Sequence, residues 1–147
     1  TLMLLGDSPE IADFLIKKNA KLDFTNAFGQ NALHLAVKRK NEKLASFLSK
    51  FKVLDKPDKQ GNTPLLYAID QGNSNLVGEM LKNQANPNVS GSHGSALHLA
   101  IRNGDITTVQ LLLKYKARKD TKDDYGFTAS DEAKRSGNPE LEKLLLQ

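Results

Sequence analysis

His34, His93 and His98 are the side chains best suited to proton transfer or metal ligation near neutral pH. Two of them stand at the centre of the same five letters, Ala32–Ala36 and Ala96–Ala100, 64 residues apart. A residue that recurs with its whole surroundings serves the architecture, so the expectation for His34 and His98 is an imidazole hydrogen-bonded to nearby turn backbone. His93 lies outside the repeat, in a glycine-rich stretch, and reads as a surface histidine. Asp55 and Asp58 flank Lys56 and Pro57 without the alternating oxygen donors that calcium requires. Metalloprotease, nucleophile-elbow and phosphate-loop motifs are absent, and with no cysteine there is no thiolate chemistry, disulfide or cysteine-based zinc site. No catalytic residue, metal ligand or cofactor site is therefore expected. Asn88-Val89-Ser90, a glycosylation triplet, falls at a junction and means little without secretion.

The elements that carry these histidines repeat with a period of 32 residues, since Pro64-Leu65-Leu66-Tyr67-Ala68 stands midway between the two pentapeptides. A period of this size marks a solenoid whose units bury their apolar faces against one another. The expected organisation is one domain over residues 1–147: a partial unit at 1–25, units at 26–57, 58–89 and 90–122, and a partial or capping unit at 123–147. Ser8-Pro9-Glu10 and Asn138-Pro139-Glu140 are helix starts, with a cap, a proline where no amide donor is needed, and an acid near the positive end. Ile11, Phe14 and Leu15 give the first helix an apolar face, and Leu2–Leu5 read as the tail of a preceding helix.

Within each unit a turn containing Gly29, Gly61 or Gly126 precedes a short helix, and Gly72, Gly104 and Gly137 supply left-handed links to a second helix. The first link has Lys40 instead, at a cost of about 1 kcal/mol if the same backbone is kept. Gly78 is expected outward on its helix, weakening it by about 1 kcal/mol relative to Ala. The turn Ser90–Gly94 departs from the pattern, with His93 where the others have glycine, and is expected to be mobile or reshaped. Ser130-Asp131 puts polar letters at a core-facing stretch, as a terminal unit would.

Composition narrows the function classes. A charged fraction of 26% and hydrophobic fraction of 39% suit a globular chain, and no apolar run approaches the ~20 residues of a membrane span. The net charge of +4 is mild and Lys114–Lys119 is followed at once by Asp120, so nucleic acid is not favoured. Absence of cysteine fits a reducing compartment, and the expected location is cytoplasmic, with nucleus or a host cytosol as alternatives. The first residue is Thr1, not Met, which suggests a piece of a longer protein.

Thr63-Pro64-Leu65, the two pentapeptides, Gly72-Asn73 and Gly104-Asp105, at this spacing over nearly the whole chain, resemble ankyrin repeats. The resemblance implies an all-α solenoid of stacked helix-turn-helix units with β-turn finger loops, and protein recognition through finger tips and inner helices. Carried across, the family's variable positions are Ala27, Phe28, Lys59, Gln60, Gly91, Ser92, Asp124 and Tyr125 on the fingers. On the inner-helix ends they are Lys38, Arg39, Asp70, Gln71, Arg102, Asn103, Arg135 and Ser136. Phe28, Tyr125 and Phe127 are aromatics at turns, suited to anchor a partner unless they fold back over their own loops. Three of the four helix ends carry Arg or Lys, so a moderately basic floor receiving an acidic or phosphorylated protein segment is expected. The whole reads as a monomeric, non-enzymatic scaffold or adaptor, with the recruiting or autoinhibitory arm of a larger enzyme or channel, or a pathogen effector, as alternatives.

Overall fold

A computed structural model describes residues 8–51 and 56–146. Leu2–Leu5 and Asp55 lie outside the described residues. The elements are α1 (Pro9–Lys17), α2 (Ala32–Lys38), α3 (Glu42–Leu48), α4 (Pro64–Asp70), α5 (Ser74–Lys82), β1 (Ser90–Gly91), β2 (Gly94–Ser95), α6 (Ala96–Arg102), α7 (Ile106–Lys114), α8 (Ala129–Ser136) and α9 (Pro139–Leu146).

Helices of seven to nine residues are too short to persist alone, so caps and packing must supply their stability. Ser8, Asn31, Asn41, Thr63, Asn73, Ser95, Asp105 and Thr128 cap them, each side chain accepting from the amide three residues on. The caps lie at nearly the same place in every unit, which explains why the helices do too.

Packing follows the period. The inner helices α2, α4, α6 and α8 stack in sequence, the outer helices α1, α3, α5, α7 and α9 form a second layer, and each inner helix packs on the outer helix that follows it. Leu33, Leu65 and Leu97 fill equivalent places between the layers, as do Leu48, Met80, Leu112 and Leu145. The core is thus a continuous seam rather than a single centre, that of an all-α solenoid with one two-stranded ribbon among the described residues.

The links behave as their letters require. Gly72, Gly104 and Gly137 have φ of 67°, 65° and 64°, and Lys40 keeps the same backbone at 57°. The outer helices also end in left-handed residues without glycine, at Asn19, Gln84 and Lys116, which the sequence did not signal.

Two expectations change. Gly78 does not face outward: a Cβ there would sit 3.5 Å from Leu111 of the next outer helix, so the stack passes over it. The apolar face of α1 is only partly used, since Ile11 and Phe14 remain 43% and 59% exposed while the helix packs chiefly on α3 among the described elements. The Ser90–Gly94 turn is reshaped into a ribbon, with Ser90 opposite Ser95 and Gly91 opposite Gly94.

Candidate protein-interaction surface

Each regular finger is built by one side chain. Asn26 Oδ1 accepts the amides of Phe28 and Gln30 at 2.9 and 3.0 Å. Asp58 Oδ1 accepts those of Gln60 and Asn62 at 2.9 and 3.0 Å, and Asp123 Oδ1 those of Tyr125 and Phe127 at 3.0 and 2.9 Å. A short acceptor at the first position satisfies the amides that a tight turn leaves over.

Burial works against the charge on Asp58, yet the Tyr67 hydroxyl, the finger amides and Gln30 outweigh it and hold the carboxyl below its usual range. Tyr67 is pushed up in turn, by burial and by donating to that carboxylate at 2.7 Å. Asp123 is likewise lowered: burial opposes ionisation, but the amides of Phe127 and Tyr125 and the Arg102 guanidinium prevail.

The buried histidines close fingers onto the preceding inner helix. His34 Nε2 lies 2.9 Å from the Asn62 carbonyl, and His98 Nε2 2.9 Å from that of Phe127. A carbonyl only accepts, so Nε2 carries the proton in both rings. Nδ1 then accepts, from the Asn31 amide at 3.2 Å in His34 and from the Ser95 hydroxyl at 2.7 Å in His98. Both ring nitrogens are consumed inside the frame, and burial pushes the His34 imidazole down. Among the described residues no group of histidine and carboxylate side chains is placed to hold a metal.

The finger-tip aromatics divide. Phe28 and Tyr125 stand out at 68% and 79% exposure. Phe127 folds back instead, half-buried with the Arg135 guanidinium 4.5 Å from its ring centre. Ala27, Lys59, Gln60, Ser92 and Asp124 are exposed, and Gly91 is half-buried because finger three lies over Leu66 and Asn62.

The inner-helix ends divide too. Arg102 donates to Glu132, to Asp123 and to the His93 carbonyl, so its guanidinium clamps the third and fourth units together, and these carboxylates raise its pKa further, Glu132 most. Asn103 Nδ2 donates to the Ile69 carbonyl at 3.0 Å, Arg135 pairs with Glu132 at 3.5 Å, and the Ser136 hydroxyl turns back to Ala133. Lys38 is exposed with Nζ 5.1 Å from the Tyr67 ring centre; Arg39 and Asp70 are exposed and Gln71 half-buried. Of the basic side chains expected along the array, Arg102 and Arg135 are engaged by carboxylates of the last unit, whereas Lys38 and Lys59 are exposed in the first two units.

Sequence reasoning missed a row of half-buried side chains under the fingers: Leu35, Tyr67 and Leu99, one per unit at the 32-residue period and ending at Asp131. The signal was present, since these are the letters that follow His34, Leu66 and His98. Two clefts open over this row. One of about 520 Å³ includes Phe28, Leu35, Lys38, Arg39 and Lys59, and one of about 500 Å³ includes Leu66, Tyr67, Asp70, His93 and Leu99.

The family model described as ankyrin repeats (3 copies) matches residues 2–91 and 90–147. Alpha-latrotoxin-Lt1a of Latrodectus tredecimguttatus is 34% identical over 87% of this chain and 10% of the toxin. A putative palmitoyltransferase ZDHHC13 of Danio rerio is 31% identical over 98% of this chain and 21% of its own length. Transient receptor potential cation channel subfamily A member 1 of Homo sapiens is 34% identical over 93% of this chain and 13% of its own. The chain thus spans between a tenth and about a fifth of these relatives.

Proposed function

From the premise that this chain belongs to the ankyrin-repeat family, whose repeats serve protein–protein interaction, we propose a non-catalytic scaffold or adaptor that captures a partner protein across its finger tips and inner helices. The observation that carries this is the pair Phe28 and Tyr125, held in solvent by turns whose amides are satisfied from within. Large exposed aromatics at the two ends of one face suit anchoring better than solubility. Lys38, Arg39 and Lys59 favour a partner segment bearing acidic or phosphorylated residues. Lys59, Gln60, Asp70 and Ser92 line the same clefts and Gln71 another beside Gly72, whereas Arg102, Asn103, Phe127 and Arg135 act on that surface by holding the frame. The array works as a monomer in the cytoplasm on this reading.

A second reading makes the array the recruiting arm of a larger enzyme or channel. It is favoured by relatives named as a palmitoyltransferase and a cation channel, nearly all of this chain aligning with a minor part of each. Both readings need the same surface. Affinity capture with the intact chain and with a Phe28→Ser, Tyr125→Ser variant tests it: the variant is expected to keep its helical circular dichroism and lose the captured proteins. Recovery of the same proteins in the same amounts by both overturns the proposal.

A further inference from the structure

The two clefts over the Leu35, Tyr67 and Leu99 row differ in charge, and their order says what kind of segment can cross them. The first is rimmed by Lys38, Arg39 and Lys59. Its carboxylate, Asp58, is buried and already accepts two amides, the Tyr67 hydroxyl and Gln30, so the charge offered to a ligand is positive. The second has an apolar floor of Leu66, Tyr67 and Leu99, with Asp70 and His93 at its edge. An acidic side chain is attracted by the first and repelled by Asp70 at the second, where an apolar side chain gains by covering the leucines.

Gln60 lines both clefts, and the Tyr67 ring that floors the second lies under Lys38 of the first, so the clefts are neighbours across one step of the stack. Adjacent packed helices are about 8–10 Å apart and an extended chain advances about 3.3 Å per residue, so one step is spanned by about three residues. At the third step Arg102 is engaged by Asp123, Glu132 and the His93 carbonyl, so its charge is already met within the frame.

Resting on the protein-recognition reading above, we propose that this surface takes an extended segment of a partner protein in which an Asp or Glu is followed or preceded, about three residues away, by a Leu, Phe or Met. The acid sits between Lys38 and Lys59, and the apolar side chain enters between Tyr67 and Leu99 beneath the Ser92-His93 tip. Charge sets the register, since a segment shifted by one unit brings its acid to Asp70.

The test is selection of a phage-displayed library of random nine-residue linear peptides on the full chain. Enriched peptides are expected to carry an acidic and an apolar residue about three positions apart. A synthetic copy of one should bind a Lys38→Glu, Lys59→Glu variant about tenfold more weakly, and a Leu99→Gln variant should lose the preference at the apolar position alone. If the double variant loses helical circular dichroism, Lys59→Glu on the exposed finger gives the same reading. Enriched peptides lacking the acid, or insensitive to both lysine reversals, overturn this inference and leave protein recognition standing if they still need Phe28 or Tyr125. A phosphoserine replacing the acid and binding more than tenfold tighter also overturns it, in favour of a phosphorylated partner. Absence of any peptide dependent on the finger face removes the inference and the recognition reading together.

Discussion

The finger joints along the array are not made alike. Fingers two and four are each closed by a buried histidine whose Nε2–H meets a turn carbonyl, that of Asn62 or Phe127. Finger three has no such bond because Leu66 stands where His34 and His98 stand in their units. There the chain folds into the β1–β2 ribbon, and Asn62 Oδ1 is 3.4 Å from both the amide and the hydroxyl of Ser92. A polar bridge and a backbone ribbon are thus alternative ways of seating one finger. The ribbon joint is also where the apolar cleft of Leu66, Tyr67 and Leu99 opens.

If the histidine joints carry the frame, removing one should have the largest effect. His98→Ala deletes a fully buried ring and its bonds to Ser95 and Phe127, and is expected to destabilise the array by about 3 kcal/mol. His98→Leu, which copies Leu66, restores packing but not the bond to the finger, and should cost about 1–3 kcal/mol. Urea unfolding followed at 222 nm measures both. Equal midpoints for His98→Leu and the parent chain would mean the two kinds of joint are interchangeable.

Acid should separate the joints next. The His34 ring must be neutral to accept from the Asn31 amide, and burial lowers its pKa below the ordinary 6.5; Asp58 opposes that shift and Lys38 adds to it. A depressed histidine pKa means the unfolded chain binds the proton first. The ring's contribution is therefore complete above about pH 6.5 and declines as pH falls from there through the lower folded value. Melting temperatures at pH 7.5, 6.5 and 5.5 should fall in that order, and less steeply for His34→Leu. Asp58 and Asp123 act in a more acidic window, below the ordinary carboxylate value of 3.8, because their pKa values are lowered. A slope that His34→Leu leaves unchanged would assign the acid sensitivity elsewhere.

The ribbon joint has a different weak point. A Cβ on Gly91 would clash with Asn62 Oδ1 and lie 2.8 Å from Leu66 Cδ1, and Leu66 is buried. Gly91→Ala is expected to cost about 1–2 kcal/mol, less when Asn62 is already Ala. Addition of the two single effects in the double variant would show that Asn62 does not seat the finger.

Much of this was legible because a period of 32 residues reports equivalent environments without any knowledge of contacts. The helices, their caps, the left-handed links at Gly72, Gly104 and Gly137 and the structural use of both histidines follow from letters that recur, and Lys40 takes its backbone from its place in the period. What did not recur was harder to read. Arg102 looks like a solvent-facing charge until Asp123 and Glu132 arrive from the next unit, 21 and 30 residues on. Phe28 and Phe127 are both finger aromatics, and nothing local says that only Phe127 is covered by an arginine from the following helix. The binding positions depend on such cross-unit pairs, which a period detects only when both partners repeat.

The outer layer offers the smallest and most direct measure of how well the ribbon joint is packed. Gly78 lies mid-helix in α5 without the positive φ that would demand glycine, and faces Leu111 of α7 across this joint. Alanine there meets Leu111 Cδ1 at 3.5 Å, an ordinary contact distance. Gly78→Ala should thus stabilise the chain by up to about 1 kcal/mol, from helix propensity and from a methyl placed between two outer helices. Thermal unfolding measures it, and the His98→Leu background sharpens it: the gain should persist undiminished, because the two sites belong to different joints. A loss of stability in the parent chain would show that α5 and α7 already touch too closely to admit a methyl group. The ribbon joint would then be the tighter of the two, kept so by glycine in the outer layer at Gly78 and in the finger at Gly91.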